Sequence, residues 1–125
     1  MDVEQMRTRV IPSSREPLPV VGCGTYMGFD RAPGSAEFAQ LPGVLKSLFD
    51  AGGSLVDSSP MYGKAEAALG QMMDEADTRE EAFVATKVWT TGREAGIRQM
   101  EQSLELLRVD AIDPVSYTHL RAHET

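Results

Sequence analysis

Histidine and cysteine are scarce in this chain. Its 125 residues hold one cysteine, Cys23, and two histidines, His119 and His123, both within the last seven positions. One cysteine excludes an internal disulfide framework and any multi-cysteine zinc site. Basic residues are in the minority: 12 Lys and Arg against 19 Asp and Glu leave a formal charge of −7, so no bulk positive charge is available to hold a nucleic acid. No run of 18 apolar residues occurs, which leaves no candidate membrane span. The polar opening from Met1 to Arg9 lacks the apolar stretch of a secretory signal. The expectation is a cytoplasmic protein with no metal, nucleic-acid or membrane partner. Gly22-Cys23-Gly24 lacks the third, helix-opening glycine of the dinucleotide fingerprint, and no Walker loop is present. What remains is a chain with 42% hydrophobic residues, enough for one small core and too apolar for a disordered tail.

The apolar pattern alternates between short runs and helical spacing. Thr8-Arg9-Val10-Ile11 is β-prone, and Pro12 to Pro17 is turn chemistry, so a hairpin opens the chain. Val20 and Val21 lead into Gly22-Cys23-Gly24-Thr25, which reads as a buried strand followed by a bare loop. Phe29 to Gly34 reads as a loop, with Pro33-Gly34 as its turn signal. Pro42 suits the first turn of a helix whose face carries Val44, Leu45, Leu48 and Phe49 and which stops at Gly52-Gly53. Ser54 to Asp57 is a second strand. A helix follows from about Ala65, with Leu69, Met72 and Met73 facing inward, and the acidic residues Asp74-Glu75 and Glu80-Glu81 form a solvated loop. Phe83 to Thr86 is a third strand ending at Lys87. Arg93 to Leu107 is a third helix, carrying Ile97, Met100, Leu104 and Leu107 at helical spacing, and Val109 to Ile112 opens a fourth strand. Hairpin and then β-α-β-α-β-α-β implies an α/β fold with a parallel sheet and right-handed crossovers. It is either a small open domain or the first part of a (β/α)8 barrel, which needs ~250 residues for its eight units.

Three polar residues fall at or just after strand ends, where parallel α/β folds place their active sites. Asp57 closes the second strand, Tyr62 follows in the same loop, and Lys87 closes the third. An Asp and a Lys at one rim offset each other's burial cost by pairing. A lysine charge beside a tyrosine makes the phenol a better proton donor near neutral pH. Each residue also has an ordinary role open to it: a turn cap for Asp57, solvation for Lys87, packing for Tyr62. Cys23 reads as core, and Met27 and Met61 as packing residues at the border of a pocket.

The run Val56-Asp57-Ser58-Ser59-Pro60-Met61-Tyr62-Gly63, followed by Glu66 and Gly70, resembles the aldo-keto reductase signature. Gly22 to Tyr26 resembles that family's first strand and loop, Ala85-Thr86-Lys87 its third strand, and Ser103-Leu104, Leu107, Asp110 and Asp113 the helix and turn before its fourth. The resemblance runs in order from about Arg9 to Asp113. It implies a (β/α)8 barrel with a hairpin closing its bottom. It also implies hydride transfer between a nicotinamide cofactor, usually NADPH with NADH left open, and a small carbonyl or alcohol substrate. On that resemblance Tyr62 is the general acid, Lys87 lowers its pKa, and Asp57 holds Lys87. Thr25, Tyr26 and Asp57 match positions that contact the nicotinamide riboside end, and Trp89 matches a loop that lines the substrate pocket.

One departure stands out. The family's fourth catalytic residue is a histidine five positions after an Asp, and Asp113 plus five is Thr118. His119 is one residue late, a shift that turns a strand side chain to the opposite face. The last twelve residues, Pro114 to Thr125, resemble the translated transposase adapter of a sequencing-library preparation. The expectation is therefore residues 1–113 as the N-terminal part of a barrel enzyme and 114–125 as a non-native tail. The alternative is that Val115, Tyr117 and His119 form one face of a true fourth strand. Removing the tail takes away Arg121 and Glu124, leaves the charge at −7, and removes both histidines. The 125 residues by themselves are expected to be inactive and poorly soluble, with open sheet edges. Two rival readings are a catalytically silent, cofactor-binding regulatory relative and a small α/β binding module.

Overall fold

A computed structural model of the chain describes residues 5–32 and 34–110, and the backbone of 117–119. The element order is β1 (Thr8–Val10), β2 (Pro17–Pro19), β3 (Cys23–Gly24), α1 (Ala36–Asp50), β4 (Leu55–Asp57), α2 (Ala65–Ala76), a 3₁₀ turn (Arg79–Glu81), β5 (Phe83–Val88), α3 (Arg93–Leu107) and β6 (Tyr117–His119). β1 and β2 form an antiparallel hairpin with Thr8 opposite Pro19. The other strands form one parallel sheet in the order β3-β4-β5-β6. Strand order equals chain order, with a helix between each neighbouring pair. That is barrel-type winding, because a doubly wound sheet reverses direction at a switch point. The expected hairpin and βα alternation are therefore present. No helix among the described residues is long and apolar enough to cross a membrane.

Each helix ends in the same way, with one residue at positive φ and paired backbone bonds back into the last turn. In α1 the amides of Gly52 and Gly53 donate to Phe49 O and Leu48 O. In α2 the corresponding residues are Asp77 (φ 53) and Thr78, and in α3 they are Arg108 (φ 57) and Val109. This is the Schellman closure. Only the first of the three uses glycine, so only the first carries a sequence signal. At the other end, α1 starts at Ala36 rather than at Pro42. Ser35 Oγ accepts from Phe38 N at 3.1 Å and caps the helix. Pro42 is tolerated inside, where its missing amide removes one bond to the Phe38 carbonyl.

The earlier start moves the buried face. Phe38, Leu41 and Leu45 are buried, Leu48 and Phe49 pack against them, and Val44 is exposed. α2 lies at the centre of the core: Leu69, Met72 and Met73 are fully buried, as expected. It approaches α3 so closely that a Cβ on Gly70 would lie 2.2 Å from Leu106 O. On α3 the deepest line is Gly96, Ser103 and Leu107, while Ile97, Met100 and Leu104 are only partly buried. The buried face of α3 is thus rotated from the expected one, keeping only Leu107 of the four spaced apolar residues fully buried. Asp74 and Glu75 belong to the last turn of α2, and Glu80-Glu81 to the 3₁₀ turn, all four exposed. Arg108 and Arg79 beside Asp74 hold its carboxyl below the usual range.

Two expected strands differ. Val20 and Val21 precede β3 and are exposed, because the Val20 amide donates to Arg7 O and extends the hairpin. Val109 donates to Leu104 O in the closure of α3 instead of opening a strand. Residues 111–112 and Pro33 lie outside the described residues, as do Val115 and the side chains of 117–119. The backbone of β6 sets Tyr117, Thr118 and His119 opposite Thr86, Lys87 and Val88. Phe29 is in a loop as expected but is buried in the core.

Candidate active site

Asp57 is the last residue of β4, and the parallel register sets it opposite Ala85 of β5. Lys87 lies two residues further along β5, on the same side of the strand as Ala85. Its Nζ therefore reaches back across one strand spacing. It donates to Asp57 Oδ2 at 2.8 Å, to Asp57 Oδ1 at 3.0 Å and to the Ser58 carbonyl at 2.8 Å. All three ammonium protons thus have acceptors. The pair is partly open, with side-chain exposures of 24% for Lys87 and 41% for Asp57. A pair this exposed contributes only ~0–1 kcal/mol to stability, so its consequence is placement of the cation.

That placement brings Lys87 Nζ to 4.9 Å from the centroid of the Tyr62 ring, inside cation–π range. The loop that presents Tyr62 is held at several points. Tyr62 N donates to Ser59 O at 3.0 Å, Met61 N to Ser59 Oγ at 3.2 Å, and Ala65 N to Tyr62 O at 3.0 Å. From the β3–α1 loop, Asp30 Oδ1 accepts from Lys64 N at 2.8 Å. Gly63 is at φ +60, and a Cβ there would lie 2.5 Å from the Asp30 carboxylate. Glycine is therefore required beside Tyr62 both by conformation and by space. Tyr26 stands edge-on to Tyr62 with ring centroids 5.1 Å apart, and its own ring is exposed. The structure thus brings Asp57, Tyr62, Lys87 and Tyr26 together at the carboxyl ends of β3, β4 and β5.

Thr25 is placed differently from its neighbour. It is fully buried, with its hydroxyl within hydrogen-bond distance of the Asp57 carbonyl (3.0 Å) and Ser58 Oγ (2.8 Å). It ties the β3 loop to the Asp57–Ser58 corner. Trp89 lies just past β5 with its ring exposed. Gln99 of α3 holds its backbone on both sides, accepting from Trp89 N and donating to Trp89 O. Cys23 is half-buried, and burial pushes its thiol above the ordinary range. Ser58, Asp30 and Ser103 were not singled out from sequence as site residues. The partners of Ser58 and Asp30, Thr25 and Lys64, are tens of residues away, and lone hydroxyls and carboxylates leave no periodic trace. Glu66 stood only as a motif letter; it is buried and bonded to Thr86.

Among the described residues, no group of His, Cys, Asp and Glu could hold a metal ion. The rim does suit the nicotinamide group that the resemblance implies. It offers an exposed flat ring, Tyr26, beside a tyrosine hydroxyl-bearing ring and an anchored cation.

Known proteins resemble this chain in sequence and in fold. A model of the Aldo/keto reductase family matches residues 20–125. The chain is 29% identical over 113 residues to an NADP-dependent D-sorbitol-6-phosphate dehydrogenase of Malus domestica, covering 86% of this chain and 33% of the relative. It is 33% identical over 97 residues to a glycerol 2-dehydrogenase (NADP(+)) of Saccharomyces cerevisiae, covering 77% and 28%. The chain therefore spans about a third of the length of these curated relatives. Among solved structures, an aldo-keto reductase from Klebsiella pneumoniae in complex with NADPH superposes with a TM-score of 0.71 at 26% identity, covering 89% of this chain and 38% of that one. The glycerol dehydrogenase of Gluconobacter oxydans gives 0.68 at 30% identity, covering 85% and 37%.

Proposed function

We propose, from the premise that the chain belongs to the aldo/keto reductase family, that the whole protein transfers hydride between NADPH and a small carbonyl or alcohol. The observation that carries the reading is Lys87 Nζ, held by Asp57 at 2.8 Å and lying 4.9 Å from the Tyr62 ring centroid at the strand ends. When bound, the nicotinamide cofactor supplies the hydride. Tyr62 gives its hydroxyl proton to the carbonyl oxygen as that oxygen becomes an alkoxide. The Lys87 charge offsets the negative charge left on the Tyr62 oxygen, and Asp57 keeps Lys87 from turning to solvent. Tyr26 offers its exposed ring to the nicotinamide end, Thr25 and Asp57 shape the floor beneath it, and Trp89 forms one wall of the substrate pocket. The choice of NADPH over NADH rests on the matched dehydrogenases, which are named as NADP enzymes.

Support for polyhydroxy carbonyls as the substrate class comes from the names of these relatives, which specify sorbitol 6-phosphate and glycerol, and of a D-galacturonate reductase of Hypocrea jecorina, 27% identical over 100 residues. The test is NADPH oxidation by the full-length protein with glyceraldehyde, dihydroxyacetone and galacturonate. Tyr62→Phe should lower kcat by ~10²–10⁴-fold, the usual weight of a general acid, with the NADPH Kd little changed. Unchanged turnover removes Tyr62 from this role, and a wild-type protein that binds NADPH but reduces none of the three overturns the substrate class.

The proposal extends to domain limits: residues 1–113 belong to the barrel, and 114–125 are foreign to the parent protein. Its support is the resemblance of Pro114–Thr125 to translated adapter sequence. Re-sequencing the source DNA across Asp113–Pro114 tests this, and an unbroken natural reading through Thr125 overturns it. A cytoplasmic placement belongs to the same reading, supported by the single unpaired cysteine.

A further inference from the structure

Glu66 lies in the first turn of α2, four residues after Tyr62, and is only 3% exposed. Thr86 of β5, 1% exposed, donates from Oγ1 to Glu66 Oε2 at 2.7 Å. Ser103 of α3, also 1% exposed, lies near the same carboxylate, but its hydroxyl has no hydrogen-bond partner among the described residues. Lys87 is the nearby cation that acts on this group. These contacts do not compensate the loss of water, and burial pushes the Glu66 carboxyl above the ordinary range. A well-packed apolar pair at these positions would avoid that cost. What an apolar pair would not supply is a directional bond of fixed length.

The two partners are adjacent in chain to the two halves of the proton-transfer pair. Thr86 and Lys87 are consecutive on β5, so their side chains point to opposite faces of the strand, one to the helix layer and one to the rim. Glu66 is joined to Tyr62 by a single tight turn, closed by the bond from Ala65 N to Tyr62 O. We propose that the Glu66–Thr86 hydrogen bond is a strut fixing the Tyr62 loop against Lys87, so that Glu66 and Thr86 are positioning residues for proton transfer. The inference rests on the roles given above to Tyr62 and Lys87. Displacement of a reacting group by about 1 Å can cost ~10²-fold in rate, so a strut at this point matters more to turnover than to folding.

The test uses the full-length protein with NADPH and whichever of glyceraldehyde, dihydroxyacetone or galacturonate it reduces fastest. Glu66→Met removes the acceptor and the buried charge but leaves the Thr86 hydroxyl buried without a partner, so it should still fold, at a modest loss of melting temperature. Its kcat should nevertheless fall about tenfold or more, with the NADPH Kd within about twofold. Thr86→Val should show the same split of kcat from cofactor affinity. Glu66→Gln keeps a carbonyl acceptor for Thr86 Oγ1 and should return kcat to within about threefold of wild type. A folded Glu66→Met protein with wild-type kcat overturns the positioning role, as does a Glu66→Gln protein no better than Glu66→Met. Tyr62→Phe, run alongside, separates the two levels. If it keeps full turnover the reading of the site fails and the strut with it; if it loses turnover while Glu66→Met does not, only the strut fails.

Discussion

Lys87 meets three acceptors within 3.0 Å, two of them on Asp57. Asp57→Asn keeps the shape of that anchor but removes its charge, and kcat in the full-length protein should fall about tenfold or more, because the cation is free to leave Tyr62. Steady-state kinetics of the variant check this; a kcat equal to wild type refutes it. Glu66 gives a pH-dependent expectation for stability. Its native carboxyl titrates above the ordinary range because burial disfavours its charge. Its contribution is therefore fully present below the unfolded-state value of ~4.3 and is lost as pH rises through the raised native value. Glu66→Gln carries no such loss. The stability of the variant relative to wild type should increase from pH 4 to pH 7 in urea unfolding, and a difference that is flat with pH refutes it. Asp57 and Lys87 were legible because they sit where apolar runs stop, and Tyr62 because it follows Asp57 in the run that resembles a family signature. The hydrogen bonds of Thr25, Ser58 and Glu66 are made with partners 20 or more residues away, and no local pattern encodes such a meeting.

At the scale of elements, two substitutions should move stability in opposite directions. Asp77 closes α2 at φ 53, a region that costs an L-residue about 1 kcal/mol or more. Asp77→Gly should raise unfolding stability by several tenths to ~1 kcal/mol, less what glycine adds to the freedom of the unfolded chain. An unchanged or lower denaturation midpoint counts against it. Gly70→Ala should cost ~1–3 kcal/mol or more, since the new methyl meets the backbone of Leu106 and Leu107 and must push α2 from α3. Apolar periodicity located all three helices, because burial against a sheet demands it. It misplaced the start of α1, which Ser35 caps ahead of Pro42, and the face of α3, where Gly96 and Ser103 are buried while Ile97, Met100 and Leu104 are only partly so.

At the scale of the molecule, the sheet runs β3-β4-β5-β6 without reversal, and the curated relatives matched above are about three times as long as this chain. Residues 1–125 expressed alone should show no NADPH-dependent carbonyl reduction, whereas the full-length protein should. Turnover by the short chain refutes the expectation. The order of strands and helices, the barrel-type alternation and the candidate site residues Asp57, Tyr62 and Lys87 were legible in the sequence itself, because they follow from local spacing, turn residues and an ordered set of motifs. Tertiary structure alone decided that Lys87 lies over the Tyr62 ring, that Asp30 clamps the Tyr62 loop, and that Glu66 is buried against Thr86. Such contacts join segments distant in the chain, and they exist only once packing has brought those segments within hydrogen-bond reach.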